Sequence, residues 1–329
     1  MIISASRRTD IPSYYSEWFF NRLKDGYVLV RNPMNTHQIS RVNLSPEVVD
    51  GIVFWTKNPA PMLKKIDQLE KYIYYFQFTV TAYGSDIETN LPPKNEIIIP
   101  AFQQLSREIG KERVVWRYDP ILINDKYTLA YHCRSFEFLA SKLAPYTEKC
   151  TISFIDFYRK TERSMKQLGI QPVSASQQDE LLERFTETAA KYNIYIDACA
   201  EISDFRRFGI APARCIDPER LEKIGNYRLH AGKDKNQRHE CGCIESIDIG
   251  AYDACRNGCL YCYANHSHTI ANRNYERHNC TSPLLFGIPG EADIIKERCV
   301  KSCADRQMTL LDYTAETTAG SPAETLPPA

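Results

Sequence analysis

The chemistry-bearing residues of this chain are concentrated in its cysteines. Cys255, Cys259 and Cys262 stand in C-x-x-x-C-x-x-C spacing within Asp253–Asn265, DACRNGCLYCYAN. Three thiolates on one short loop can converge on a single metal centre, and Gly258 lets the backbone turn sharply between them. Thiolates are soft ligands and select iron–sulfur clusters, zinc or copper(I) over hard cations. Cys241 and Cys243 lie just upstream in ECGC, so the segment 241–265 holds five of the twelve cysteines.

Two metal chemistries compete for these thiols. Zinc takes four protein ligands in a closed structural site, and Cys241 or Cys243 could complete such a set. Three cysteines with no fourth close downstream instead leave one corner of an iron–sulfur cluster open. Cys241 and Cys243 are too close in sequence to make a whole site alone. Their candidate partners are Cys199 and Cys215, and the four together could hold a second cluster. The plain alternative is that they are small buried apolar residues. Cys133 and Cys150 read as core. Cys299 and Cys303 have i, i+4 spacing on an expected closing helix, 293–308.

A second set of candidates is polar. Short apolar stretches at 2–6, 27–31, 51–56, 74–81, 113–118, 150–155 and 193–198 read as strands, with a last short one at 246–251. Between them run amphipathic segments, among them 12–23, 58–69, 95–109, 128–143 and 174–191, which read as helices. Strands alternating with helices predict a parallel sheet, and six or seven units favour an α/β barrel or partial barrel. A doubly wound sheet is the fallback. Ligands of such folds bind at the C-terminal ends of the strands. There the sequence puts Arg7, Arg8 and Asp10, then Arg31 and Asn32, Lys57 and Asn58, Arg117 and Asp119, Asp156, and Glu201. Strand ends are also where polar residues begin, and each one alone is as well read as a cap or an ion pair. Arg7 and Arg8 are the best anion-binding candidates, because guanidinium matches carboxylate or phosphate. They would neighbour the cysteine loop if the last strand lay beside the first.

The spacing C-x-x-x-C-x-aromatic-C, with Tyr261 as the aromatic, resembles the cluster motif of the radical S-adenosylmethionine (SAM) enzymes. The run GCLYCYAN is similar to members of the spore photoproduct lyase-like group. That superfamily carries the motif after its first strand, whereas here it comes near the end, and the Gly-Gly-Glu run of many members is missing. Across a longer stretch, IISASRRTDIP, VRNPMN, VFWTKNP, WRYDPI and KDKNQR together resemble a bacterial domain family of unknown function. That family carries a radical-SAM-like cysteine cluster at its C-terminal end, and the resemblance runs from Met1 to about Leu311. It implies a 4Fe-4S cluster on Cys255, Cys259 and Cys262, an open iron for SAM, and a reductant such as ferredoxin or flavodoxin. It names no substrate. An electron-transfer or structural iron–sulfur protein without SAM chemistry, and a zinc-stabilised barrel, are the alternatives.

Composition narrows the class. The chain has 329 residues, 43% of them hydrophobic and 25% charged, with formal net charge zero. That is an ordinary globular composition, and it gives no general attraction to nucleic acid, although a nucleic acid substrate stays open. No apolar run approaches a membrane span, and MIISASRR has the reverse polarity of a signal peptide. A cytoplasmic location is expected, where clustered cysteines are metal ligands or redox groups more often than disulfides. The expected organisation is a single barrel-like domain over 1–311 and a disordered tail over 312–329.

Overall fold

The computed structural model describes residues 1–158 and 160–305. Thirteen strands are found there: β1 Ile2–Ala5, β2 Tyr27–Asn32, β3 Asn35–Asn43, β4 Gly51–Thr56, β5 Tyr74–Thr79, β6 Val114–Ile121, β7 Lys149–Phe154, β8 Tyr195–Ala198, β9 Ala211–Pro212, β10 Arg228–Leu229, β11 Ile247–Asp248, β12 Ile294–Glu297 and β13 Ala304–Asp305. Eight of them form one sheet in the order β11-β1-β4-β5-β6-β7-β8-β9. Every neighbouring pair in it is parallel. The protein is therefore α/β with a large parallel sheet. Its two edges, β11 and β9, do not pair with each other.

Both faces of this sheet are covered, which is why its strands read as nearly continuous apolar runs. Alternation decides which residue faces which layer. Phe54, Phe76 and Trp116 point to the larger core, where Phe54 stacks on Phe76 at 4.6 Å and Trp116 on Phe136 at 4.9 Å. Ile2, Val53, Tyr75 and Val115 point the other way, into a smaller cluster with Ile216, Leu221, Cys215, Cys241 and Cys243. The helix Pro218–Gly225 supplies Leu221 to that second layer. It comes so close to β4 that a Cβ on Gly51 would lie 2.7 Å from a Leu221 methyl.

The outer helices start where local chemistry says they should. Thr128 caps Leu129–Leu143, and Ser174 with Gln177 forms a capping box on Ala175–Tyr192. Cys133 lies half-buried in the first of these and Cys150 is buried in β7.

Four expectations differ from the structure, the first being the helix expected over 58–69, which is split into Ala60–Leu63 and a 3-10 turn Ile66–Leu69. The helix expected over 12–23 is broken at Tyr15 into Ile11–Tyr14 and Ser16–Asp25. The strand at 27–31 is absent from the parallel sheet. Asn32-Pro33 does not end it but turns it into an antiparallel hairpin with β3, part of a separate sheet β12-β3-β2. The closing helix 293–308 is also not formed in its described part. Ile294–Glu297 runs extended beside the free edge of β3, and Arg31 grips Asp293 at its start with bonds of 2.7 and 2.8 Å. β-branched Ile294 and Ile295 suit that strand better than a helix. Cys299 and Cys303 consequently share no helix face. Cys303 instead donates to Asp50 at 3.1 Å, and Cys299 is exposed. The tail 312–329 lies outside the described residues. Among the described residues no helix is long and apolar enough to cross a membrane.

Candidate functional site

The cysteine loop is carried to the sheet's C-terminal mouth by β11. That strand pairs with β1 through Ile3–Ile247 and Ser4–Asp248, so the last strand of the sheet lies beside the first. Asp248 then organises the turn after β1: its carboxylate accepts from Ser4 Oγ at 2.8 Å, Ser6 Oγ at 2.6 Å and the Arg7 amide at 2.9 Å. Gly258 has φ of 70°, the left-handed region, and any side chain there would collide with Thr89.

Two buried carboxylates clamp the loop. Asp10 accepts from the Ser13 amide (3.1 Å), the Lys57 amide (2.8 Å) and Asn257 Nδ2 (2.9 Å). It thus joins the β1 turn, the end of β4 and the cysteine loop. Burial raises its pKa, against the lowering effect of these bonds. Glu88 is the second clamp, and it was not anticipated from the sequence. Only 1% exposed, it accepts from Lys57 Nζ (2.6 Å), Lys94 Nζ (2.6 Å), Thr81 Oγ1 (2.9 Å) and Tyr261 OH (2.5 Å). It also forms a backbone bridge with Cys259. Burial works against its ionisation, but Lys57 and Lys94 outweigh it and hold the carboxyl at about 2. Glu88 sits in a stretch, GSDIETN, that reads as loop; no local pattern marks it as buried.

Cys255, Cys259 and Cys262 are gathered by these contacts. Burial, then Asp10 and Cys262, push the Cys255 thiol up to about 12. Burial also raises Cys259, opposed by Lys57 and reinforced by Glu88, Cys262 and Cys255. Cys262 is raised by burial, against backbone bonds from Ala264 and Asn265. Among the described residues these three thiols make no sulfur–sulfur hydrogen bond, in contrast to Cys199 and Cys215, whose sulfurs are 3.2 Å apart. Beside Cys259, Lys57 and Lys94 share a single carboxylate, which leaves one positive charge to balance a thiolate-bound group. Donor type and local charge therefore fit an iron–sulfur cluster. Among the described residues no three His, Cys, Asp or Glu side chains already stand in an ion-holding arrangement.

In front of Cys255 and Cys262 opens a cavity of about 460 Å³. It is lined by seven of the polar candidates: Arg7, Arg8, Asp10, Lys57, Arg117, Asp119 and Asp156. Arg7 lies over the Trp55 ring at 5.0 Å and Arg8 over Tyr252 at 4.9 Å. The buried Arg7 Nη2 has no hydrogen-bond partner. Arg117 pairs with Asp119 and donates to Cys215 Sγ at 2.8 Å, and Ser153 bonds Asp119. Asp156 pairs with Arg238, a residue of the KDKNQR loop. The Tyr263 ring meets Tyr158 at 5.5 Å and, with Tyr261, lines the cavity beside Cys262.

Four candidates fall elsewhere. Asn58 caps the next turn through the Ala60 amide at 3.2 Å. Glu201 accepts from the Phe154 amide at 2.8 Å behind the cavity wall, where burial raises its carboxyl to about 7. Arg31 and Asn32 went with the hairpin, away from the mouth. His266 pairs with Asp253 at 2.6 Å, and His268 begins the helix His268–Glu276.

Across the cavity from the cysteine loop lie Cys199, Cys215, Cys241 and Cys243. Cys199 follows β8, Cys215 follows β9, and the other two precede β11. The structure brings all four together.

Residues 2–264 match the sequence profile of a family described as a domain of unknown function (DUF1848). The match ends two residues after Cys262, short of the extent to Leu311 expected from the resemblance. No curated protein matches the chain. Among solved structures, a crystal structure from Bacteroides thetaiotaomicron VPI-5482, provisionally assigned as an alpha-L-fucosidase, aligns at 12% identity over 70% of this chain and 83% of that one. Its TM-score is 0.24, too low to bear on fold or activity.

Proposed function

The chain belongs to this family, Domain of unknown function (DUF1848), and from that footing we propose that it is an iron–sulfur enzyme of the radical-SAM-like kind on a partial α/β barrel. The observation that carries this reading is the placing of Cys255 and Cys262 on the wall of a cavity at the C-terminal ends of parallel strands, with Cys259 on the same loop bridged to the Glu88 clamp. When bound there, a 4Fe-4S cluster with an open iron would supply the electron that cleaves SAM and so the radical that removes hydrogen from a substrate.

The chain's own residues have separate tasks in this reading. Cys255, Cys259 and Cys262 ligate. Lys57, Lys94 and Glu88 hold the loop and leave a positive charge beside it. Arg7 and Arg8 offer donors for the carboxylate of SAM or of the substrate, and the unpartnered Arg7 Nη2 supports that assignment. Tyr261 and Tyr263 exclude water, which tunes the cluster's potential. The substrate is unknown, and the reductant is a small electron carrier such as ferredoxin or flavodoxin.

Anaerobic purification with iron and sulfide counted, followed by EPR of the reduced protein with and without SAM, tests the reading. Iron with a SAM-dependent spectral shift, both lost in Cys259→Ala, supports it. Iron that ignores SAM leaves an electron-transfer or structural cluster. Zinc bound by this loop in place of iron overturns it.

A further inference from the structure

The four cysteines opposite the motif loop make a site of a different kind. Cys199 Sγ lies 3.2 Å from Cys215 Sγ, Cys243 Sγ accepts from the Ile216 amide next to Cys215 at 3.3 Å, and all four cysteines line the same cavity. The four thiols come from three separate segments, after β8, after β9 and before β11. Tetrahedral zinc binds thiolates at about 2.3 Å, which sets neighbouring sulfurs about 3.8 Å apart. Contacts on that scale suit one metal ion. A four-iron cluster interposes irons and sulfides and holds its thiolates much farther apart.

The surrounding charge points the same way. Arg117 Nη1 donates to Cys215 Sγ at 2.8 Å. The Arg7 guanidinium faces Cys243, its Nη2 has no hydrogen-bond partner, and Asp248 acts on it only through space. Two buried guanidiniums aimed at sulfur are poorly matched to neutral thiols. A divalent ion in four thiolates carries a net charge of −2, which gives Arg7 a close counter-charge and adds to the one Arg117 already has in Asp119.

Topology gives the site a purpose. β9 and β11 are the edges of the eight-stranded sheet; Cys215 follows the first, held over β5 and β6 by Tyr75, Gln77 and Arg117, and Cys241 and Cys243 precede the second, where the two segments meet. Only sparse bonds cross there, such as the Ile216 amide to Cys243 Sγ at 3.3 Å and the Ile244 amide to the Ile216 carbonyl at 3.3 Å.

We infer that Cys199, Cys215, Cys241 and Cys243 bind a single zinc(II) ion as a tetrathiolate, which staples the open seam of the sheet and forms the cavity wall facing the motif loop. The ligands are not yet closed around a centre, so binding turns the outer thiols, Cys199 and Cys241, inward. Four thiol protons are released and no oxidant or reductant is required.

The test is made independent of the motif loop by using full-length protein with Cys255, Cys259 and Cys262 all changed to Ala. Expressed with zinc, it should retain stoichiometric zinc after gel filtration and carry no iron. Adding Cys215→Ser should abolish zinc retention. If that variant does not fold, cobalt(II) substitution of the triple variant gives the answer: a tetrahedral thiolate spectrum, with strong near-ultraviolet charge transfer, is expected. Absence of zinc with all four thiols open to alkylation overturns the inference. So does iron with acid-labile sulfide in the triple variant, which would mean a second cluster, and so does zinc that survives Cys215→Ser in folded protein.

Discussion

Replacing Glu88 by Gln isolates the electrostatic part of the clamp on the cysteine loop. Gln keeps the size of the side chain and an acceptor for Tyr261 OH and Thr81, but it leaves Lys57 and Lys94 without a carboxylate. The side chain is 1% exposed, so solvent screens this network little. Its carboxyl lies at about 2 against an ordinary 4.5, and each unit is about 1.4 kcal/mol, so the ionised form contributes about 3 kcal/mol at neutral pH. That matches the roughly 3–5 kcal/mol lost when one partner of a buried ion pair is removed. The sign follows from a folded pKa below the unfolded one. The contribution is complete above about pH 4.5 and is lost as pH falls toward 2, with about 1.4 kcal/mol gone by roughly pH 3.5. Urea unfolding of metal-free protein, read by tryptophan fluorescence, should therefore show Glu88→Gln less stable than wild type by about 3 kcal/mol at pH 7 and by about half that near pH 3.5. A gap below about 0.5 kcal/mol at pH 7, or one that does not shrink on acidification, refutes the account of the network.

Other expectations follow from the same geometry. His132 is buried, bonded to Tyr118 OH and the Leu122 carbonyl, and burial lowers it from 6.5 to about 4. The neutral ring is the folded form, so wild-type stability should fall by about 3 kcal/mol as pH drops from 6.5 to 4, and urea titrations of His132→Asn should lack that slope. Asp10→Ser keeps a cap for the Ser13 amide but loses the Asn257 bond, so hydrogen exchange should quicken at 255–262 and not at 11–14. Ser174→Ala removes the capping box and should cost about 1 kcal/mol by thermal unfolding. Arg31→Ala should speed exchange at Ile294–Glu297 and leave metal content unchanged, because Arg31 pairs with Asp293 away from the mouth.

Local sequence determined the repeating part of this protein. Runs such as YYFQFT and GIVFWT are apolar on both faces and can only be interior strands, and their alternation with capped amphipathic helices specifies a parallel α/β sheet. That Cys255, Cys259 and Cys262 share one loop was equally legible, because they lie within eight residues of one another. Residues brought together by distant segments were harder to read. Cys199, Cys215, Cys241 and Cys243 could be proposed as partners, but only the packing of the turns after β8 and β9 against the approach to β11 brings them to one cavity wall. Glu88 carried no signal, since a carboxylate in a polar loop looks solvated until Lys57, Lys94 and Tyr261 arrive from three other segments. Segment 293–308 misled for the same reason. Its i, i+4 cysteines describe a helix in isolation, and the free edge of β3, more than two hundred residues earlier, offers Ile294–Glu297 a strand instead. Short-range patterns report what a segment can form alone. Partners far apart in the chain meet only once the sheet is assembled, and the tertiary structure alone decides which of those meetings occur.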